Sequence, residues 1–126
     1  FGRRRNLPDV RSTVYKIKNR ALRQGLNFTV QSAASDVLVC AGLGILDTIK
    51  REGLLARLVA TVHDSLEFIC PKNETASMCT IIRDEMENGN YMRDKLGIQL
   101  TVPLAIDLEI GSSFGNGEPY EVSVTD

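Results

Sequence analysis

The sequence predicts an α+β chain, and three observations predict it. Two stretches before residue 52 carry apolar residues at helical spacing. Within 58–70 two β-rich runs flank a polar centre at His63-Asp64, and Leu104, Ile106, Leu108 and Ile110 alternate with polar or small residues near the end. With 126 residues, 43% of them hydrophobic, the chain holds enough apolar material for one small domain with a core, which excludes disordered and fibrous classes.

The elements follow in order. Residues 10–24 place Val14, Ile17, Ala21 and Leu22 on one narrow helical stripe, with cations on the other faces. Gly25 and the group Asn27, Phe28 and Thr29 predict an interruption. A stronger helix over 30–51 follows, its apolar face built from Ala34, Leu38, Ala41, Ile45 and Ile49 with Val37 and Leu46 beside it. Gly42 and Gly44 weaken its middle and signal the close approach of another backbone, and Gly53 stops it. The β-rich runs then form a hairpin with His63 and Asp64 at its bend. Pro71, Lys72, Asn73 and Glu74 end the second strand and open a helix over 74–88, with Ala76, Cys79, Ile82 and Met86 on one face. Residues 91–97 continue it briefly beyond Gly89, residues 100–110 read as a half-exposed strand, and 111–117 as a loop. Three strands of this kind can form one antiparallel sheet with helices against one face.

The net charge of -1 neither demands nor excludes a polyanionic partner, but its distribution is uneven. Up to residue 50 there are nine Lys and Arg against Asp9, Asp36 and Asp47, and the remainder carries most of the acid. This asymmetry suits a phosphate-facing surface; a solvated basic run is the other reading. Cys40, Cys70 and Cys79 are odd in number, lack paired spacing and accompany a single histidine, so neither a zinc site nor a disulfide scaffold is expected, and a reducing compartment is. The sequence has no basic-then-apolar leader and no run of about 18 apolar residues, so no membrane role and a cytoplasmic location are expected. Asn27-Phe28-Thr29 and Asn73-Glu74-Thr75 fit the glycosylation pattern but carry no weight without a leader.

His63-Asp64 is the most informative pair. A carboxylate at a hairpin tip can reach a metal or a phosphate while the strands fix its position; a solvated turn is the alternative. Asp64 suits Mg²⁺, which prefers hard oxygen ligands, although a two-metal site draws carboxylates from more than one segment. Glu67, two residues along the strand from Ser65, points the same way as Ser65 and is a candidate auxiliary with it. A serine-hydrolase reading fails, because three consecutive residues cannot adopt triad geometry and no Gly-x-Ser-x-Gly is present. Arg23, Asn27, Gln31 and Ser35 recur every fourth residue and would form a polar ridge on a continuous helix. On DNA, such an arginine neutralises phosphate while the amides donate to minor-groove acceptors; an ordinary solvated face is the alternative.

Four stretches taken together resemble the C-terminal part of a family A DNA polymerase, the group of bacterial DNA polymerase I and many phage enzymes. They are Phe1-Gly2-Arg3-Arg4 through Leu7-Pro8-Asp9; Arg23, Asn27 and Gln31 ahead of Ala33-Ala34-Ser35-Asp36; Val62-His63-Asp64; and Val102-Pro103-Leu104 through Gly111 and Phe114. The resemblance implies a partial polymerase domain with a palm-type antiparallel sheet: residues 1–29 as the fingers tail and DNA-contacting helix, residues 30–126 as palm core and C-terminal tail. It implies that Asp64 is a catalytic metal ligand for two Mg²⁺ ions and that His63 touches the primer end. Arg23, Asn27 and Gln31 would grip the primer-template, with deoxynucleoside triphosphates as substrates.

The chain departs from the family pattern at Ser65, where a second carboxylate is usual, at Thr29, where proline is common, and at Phe114 in place of tryptophan. Ser65 also gives some likeness to single-subunit phage RNA polymerases. Residues beyond Phe114 extend past the usual ending, as expected of a divergent, phage-type member. The second metal-binding aspartate and the triphosphate-holding fingers helix have no counterpart in this sequence, so the chain alone is expected to be inactive until completed by N-terminal palm and fingers segments, in the same protein or in a second chain. A noncatalytic primer-template-binding or assembly subunit is the alternative.

Overall fold

The computed structural model describes residues 2–120, so Phe1 of the first motif and residues 121–126 of the expected C-terminal tail lie outside the described residues. The fold is α+β, with antiparallel strand pairs and helices. A 3-10 turn at Pro8–Arg11 precedes α1 (Tyr15–Glu52); β1 (Arg57–Val62) and β2 (Ser65–Ile69) form a hairpin; a second 3-10 turn at Lys72–Glu74 leads into α2 (Thr75–Asn88) and α3 (Asn90–Leu96); β3 (Glu109–Ile110) and β4 (Glu118–Pro119) close the order. The chain divides into two compact units, Phe1–Val37 and Leu38–Asp126.

The two helices expected before residue 52 are one. Two local contacts lie where the break was expected. The Thr29 hydroxyl donates back to the Gly25 carbonyl at 3.2 Å, so the side chain that would compete with the helix is satisfied inside it. Thr29 also keeps the backbone N–H that the family's proline would remove, and it avoids the clash that proline would bring. Gly25 has a packing reason, since a Cβ there would lie 3.2 Å from Leu7 Cδ1.

In the second unit, α1 buries Ala41, Ile45 and Ile49 as its spacing predicted, while Leu46 is exposed; in the first unit Ala34 is exposed as well. Ile45, Ile49, Ala56 and Met78 form the core, and Leu54, Leu66, Phe68, Ile82 and Met86 pack against it. The C-terminus of α1 is a Schellman motif: the Leu54 N–H reaches the Ile49 carbonyl at 3.0 Å, the Gly53 N–H reaches Lys50, and Gly53 takes φ 68°. Glu74 then fixes the entry to β1, its carboxylate accepting the Leu55 N–H at 3.0 Å and the Ala56 N–H at 3.1 Å.

Cys79 is buried on α2 as expected, whereas Ala76 is exposed. The alternation over 100–110 is present in burial, with Leu104, Ile106, Leu108 and Ile110 half-buried between exposed neighbours. Only Glu109–Ile110 pairs, however, and it pairs with Glu118–Pro119 rather than with the hairpin, so among the described residues there are two separate two-stranded sheets instead of one of three strands. Pro103 lacks the N–H that a ladder needs at that point.

One 18-residue window of α1 reaches a mean hydropathy of 1.5, long and apolar enough to cross a membrane, which corrects the reading that no such stretch exists. The window is interrupted by small and polar residues, which is why it escaped a search for a continuous apolar run. Of that window, 44% is buried inside the structure.

Candidate functional site

The hairpin belongs to the second unit. Val62 pairs with Ser65, leaving His63 and Asp64 as a two-residue connection. So tight a bend needs positive φ at a central position, which glycine, asparagine or aspartate usually supplies. Here His63 adopts φ 53°, the only non-glycine residue with positive φ among the described residues. Both bend side chains are exposed, so the imidazole and carboxylate gain no burial for the strain the backbone holds.

The bend stands on an anchored base. Leu66 and Phe68 of β2 pack against the core, and Gly42 on α1 admits Leu66: a Cβ there would lie 3.6 Å from Leu66 Cδ1, an ordinary contact. In β1 the register shifts between Leu58 and Ala60, so Val59 is an extra residue opposite no partner. Bulges of this kind raise the local twist and re-aim the strand that follows, here the stretch leading into His63.

Ser65 and Glu67 lie on one face of β2, as the strand period requires, and the Ser65 hydroxyl donates to Glu67 Oε1 at 2.8 Å and approaches the Val62 carbonyl at 3.1 Å. Those bonds occupy the hydroxyl away from His63, against a hydrolytic triad. An exposed carboxylate on a fixed bend suits one ligand position of a hard divalent cation. Among the described residues no group of three or more His, Cys, Asp and Glu side chains could hold a metal by itself.

The polar ridge belongs to the first unit. Because α1 is unbroken, Arg23, Asn27, Gln31 and Ser35 line up along one edge, and all four are exposed. From Arg23 to Ser35 the ridge is roughly 18 Å long. A shallow groove of about 380 Å³ beside it is lined by Tyr15, Lys16, Asn19, Leu22, Arg23 and Leu26.

Charge in this unit is one-sided, with eight cations against Asp9 and Asp36. Arg3 is spent internally: its Nε donates to Asp36 Oδ1 at 2.7 Å and Oδ2 at 2.8 Å, and those bonds hold the Asp36 carboxyl below the usual carboxylate range. Arg5 lies over the Phe28 ring, 5.8 Å from its centroid. Sequence reasoning counted Arg3 with the free cations and missed this pair; the isolation of Asp36, the only acid between Asp9 and Asp47, was the signal for it. Arg4, Arg11, Lys16, Lys18, Arg20 and Arg23 stay exposed.

The family profile described as DNA polymerase family A matches residues 1–116. Among curated relatives, the DNA polymerase of Bacillus phage SP01 is 31% identical over 125 residues, 99% of this chain and 13% of that protein. DNA polymerase I of Bacillus caldotenax is 33% identical over 89% of this chain and 12% of its own length, and DNA polymerase theta of Drosophila melanogaster is 36% identical over 98% of this chain and 6% of its own. The chain therefore spans a small fraction of the relatives it matches. A solved structure of the POL domain of Pol1 from M. smegmatis, in complex with DNA primer-template and dNTP, aligns with a TM-score of 0.71 at 32% identity, covering 82% of this chain and 17% of that one. With the profile match extending over the ridge, the bend and the alternating segment alike, the chain belongs to DNA polymerase family A.

Proposed function

We propose that this chain is the C-terminal palm portion of a phage-type family A polymerase, and that it acts in template-directed DNA synthesis, adding deoxynucleotides to a primer 3'-end when completed by the remaining palm and fingers segments. The observation that carries the reading is the bend itself: a strained, exposed His63-Asp64 pair on an anchored hairpin, in a chain of this family. Residues 1–29 serve as fingers tail and DNA-contacting helix and 30–126 as palm core and tail. Primer-template DNA and deoxynucleoside triphosphates, both held in the similar Pol1 complex, are the partners. The cytoplasm, or the host cytoplasm for a phage protein, is the compartment.

Asp64 offers one carboxylate toward Mg²⁺, and further ligands come from the completing segments. Two such ions supply charge neutralisation at the attacking and leaving oxygens of phosphoryl transfer. His63 contacts the primer terminus from the tip of the hairpin, where its side chain is exposed. Arg23 neutralises a backbone phosphate, while Asn27 and Gln31 donate to minor-groove acceptors that every base pair presents, so they report on pairing geometry rather than on sequence.

A noncatalytic primer-template-binding subunit is the second reading, favoured by the excess of cations in the first unit. Mixing the chain with the remaining segments of a family A polymerase domain separates the two. Restored Mg²⁺-dependent primer extension supports the enzyme, and metal-independent primer-template binding with no extension supports the binding subunit. Extension of RNA rather than DNA by the mixture would support the RNA polymerase likeness at Ser65.

A further inference from the structure

The motif at residues 2–9 has no part in the site described so far, yet it is fastened along the helix that carries the ridge. Residues 3, 5 and 7, every second one, touch α1 in reverse order. Arg3 Nε donates to both Asp36 oxygens at 2.7 and 2.8 Å, and Arg5 lies 5.8 Å from the centroid of the Phe28 ring. Leu7 Cδ1 comes to 3.2 Å from where a Cβ on Gly25 would stand. The intervening Arg4 and Asn6 are exposed, an alternation that an extended segment lying on a surface gives. The lengths agree: the four steps from residue 3 to residue 7 span about 14 Å when extended, Gly25 to Asp36 is about 16 Å of helix, and the arginine side chain covers the difference.

The face so covered is the one α1 hides in the first unit: Ala21 is buried, and Gly25, Phe28, Ser32 and Asp36 are half-buried. Asn27, Gln31 and Ser35 each precede a residue of that face by one, about 100° around the helix, and they stay exposed. The fastened segment also spans the weakest part of α1, since Gly25 is a poor helix former and Asn27, Phe28 and Thr29 rank low as well.

We propose that residues 3–7 are a splint that keeps α1 straight from Gly25 to Asp36 and so holds Arg23, Asn27 and Gln31 in line for primer-template DNA. This rests on the reading of the ridge as a DNA contact and goes beyond it by giving the first motif a role. Arg3, Leu7 and Asp36 are positioning residues that act through the ridge.

The test uses the 126-residue chain, with a primer-template duplex as probe in fluorescence anisotropy at fixed salt, and amide hydrogen exchange of α1 and α2. Asp36→Asn is the informative variant, because it removes a negative charge: electrostatics alone makes DNA binding tighter, whereas loss of the splint makes it weaker. Weakening by up to about 5-fold is expected, the scale of a partly exposed ion pair. Amides 25–31 should exchange faster by a similar factor, with those of α2 unchanged. Arg3→Asp/Asp36→Arg restores the pair at native net charge and should recover both. In a chain carrying Arg23→Ala, Asn27→Ala and Gln31→Ala, Asp36→Asn should no longer weaken binding, which a merely structural loss would still do. Leu7→Ala changes no charge and should show the same two effects, so it decides the matter if Asp36→Asn fails to fold. Native or tighter binding by folded Asp36→Asn, or native affinity in Leu7→Ala, overturns the proposal, as does equal acceleration of the α2 amides. Absence of primer-template binding by the native chain overturns the ridge reading and the splint together.

Discussion

Replacing His63 with glycine should make the chain more stable while weakening its grip on a primer end. At φ 53° a non-glycine residue carries about 1–2 kcal/mol of steric cost, which glycine does not. Glycine adds back about 0.5–1 kcal/mol through the freedom of the unfolded chain. The side chain is exposed, so truncation forfeits little burial. The right comparison is His63→Ala, which removes the imidazole and keeps the strain. His63→Gly should exceed it by roughly 0.5–1 kcal/mol, a midpoint difference of about 2–4 °C for a chain of this size. Urea and thermal denaturation of the two variants measure the difference, and primer-template affinity of the completed enzyme should fall alike in both. A glycine variant less stable than the alanine variant would refute the strain reasoning, because the bend would then need something from a side chain that strain does not describe.

Other outcomes follow from the same structure. Gly44→Ala should destabilise by about 1–3 kcal/mol despite the better helix former, because the new Cβ would meet the Glu85 carboxylate and come 3.0 Å from Tyr91 Cβ. Burial pushes the Glu85 carboxyl up, aided by Asp84 and Asp94 and opposed by the Tyr91 backbone and Arg51, and Glu85 Oε2 is buried without a hydrogen-bond partner. With a raised folded-state pKa, stability is full below the ordinary glutamate range and is lost as pH rises through the raised value. Glu85→Gln should therefore flatten the pH dependence of unfolding and gain on the native chain towards neutral pH, as denaturation at several pH values will show. Arg23→Ala should weaken primer-template binding without changing sequence preference and reduce the slope of log K against log salt by about 1, as one phosphate contact would.

The hairpin and the place of His63-Asp64 at its bend were legible, because the β-rich runs and their polar centre are local signals, whereas the strand ends at Val62 and Ser65 were not read from the sequence. Nor was the bulge at Val59, since register depends on the partner strand and on how Leu66 and Phe68 seat against the core. On α1, the burial of Ala41, Ile45 and Ile49 could be read from spacing, but continuity through Gly25 could not. There Gly25 sits against Leu7, eighteen positions away, and the Thr29 hydroxyl bonds back to the Gly25 carbonyl, contacts that residue spacing does not reveal. At 100–110 the alternation forecast which residues are half-buried and misjudged the ladder, because exposure is a property of the segment whereas pairing needs a partner. Glu67 shows a third kind of limit. Its place on the Ser65 face followed from strand period, but its bond to Ser65 and the lack of a cross-strand cation emerge only once both strands are aligned.

The most direct test of the central claim is single-turnover nucleotide addition by the completed enzyme carrying Asp64→Asn, measured beside primer-template affinity. Asparagine keeps the size of the exposed bend residue and removes its charge, so the fold and the ridge contacts should persist. Unchanged primer-template affinity, with Mg²⁺-dependent addition reduced to background, is the predicted result. Native-like addition by Asp64→Asn would contradict it and leave the bend an ordinary solvated turn.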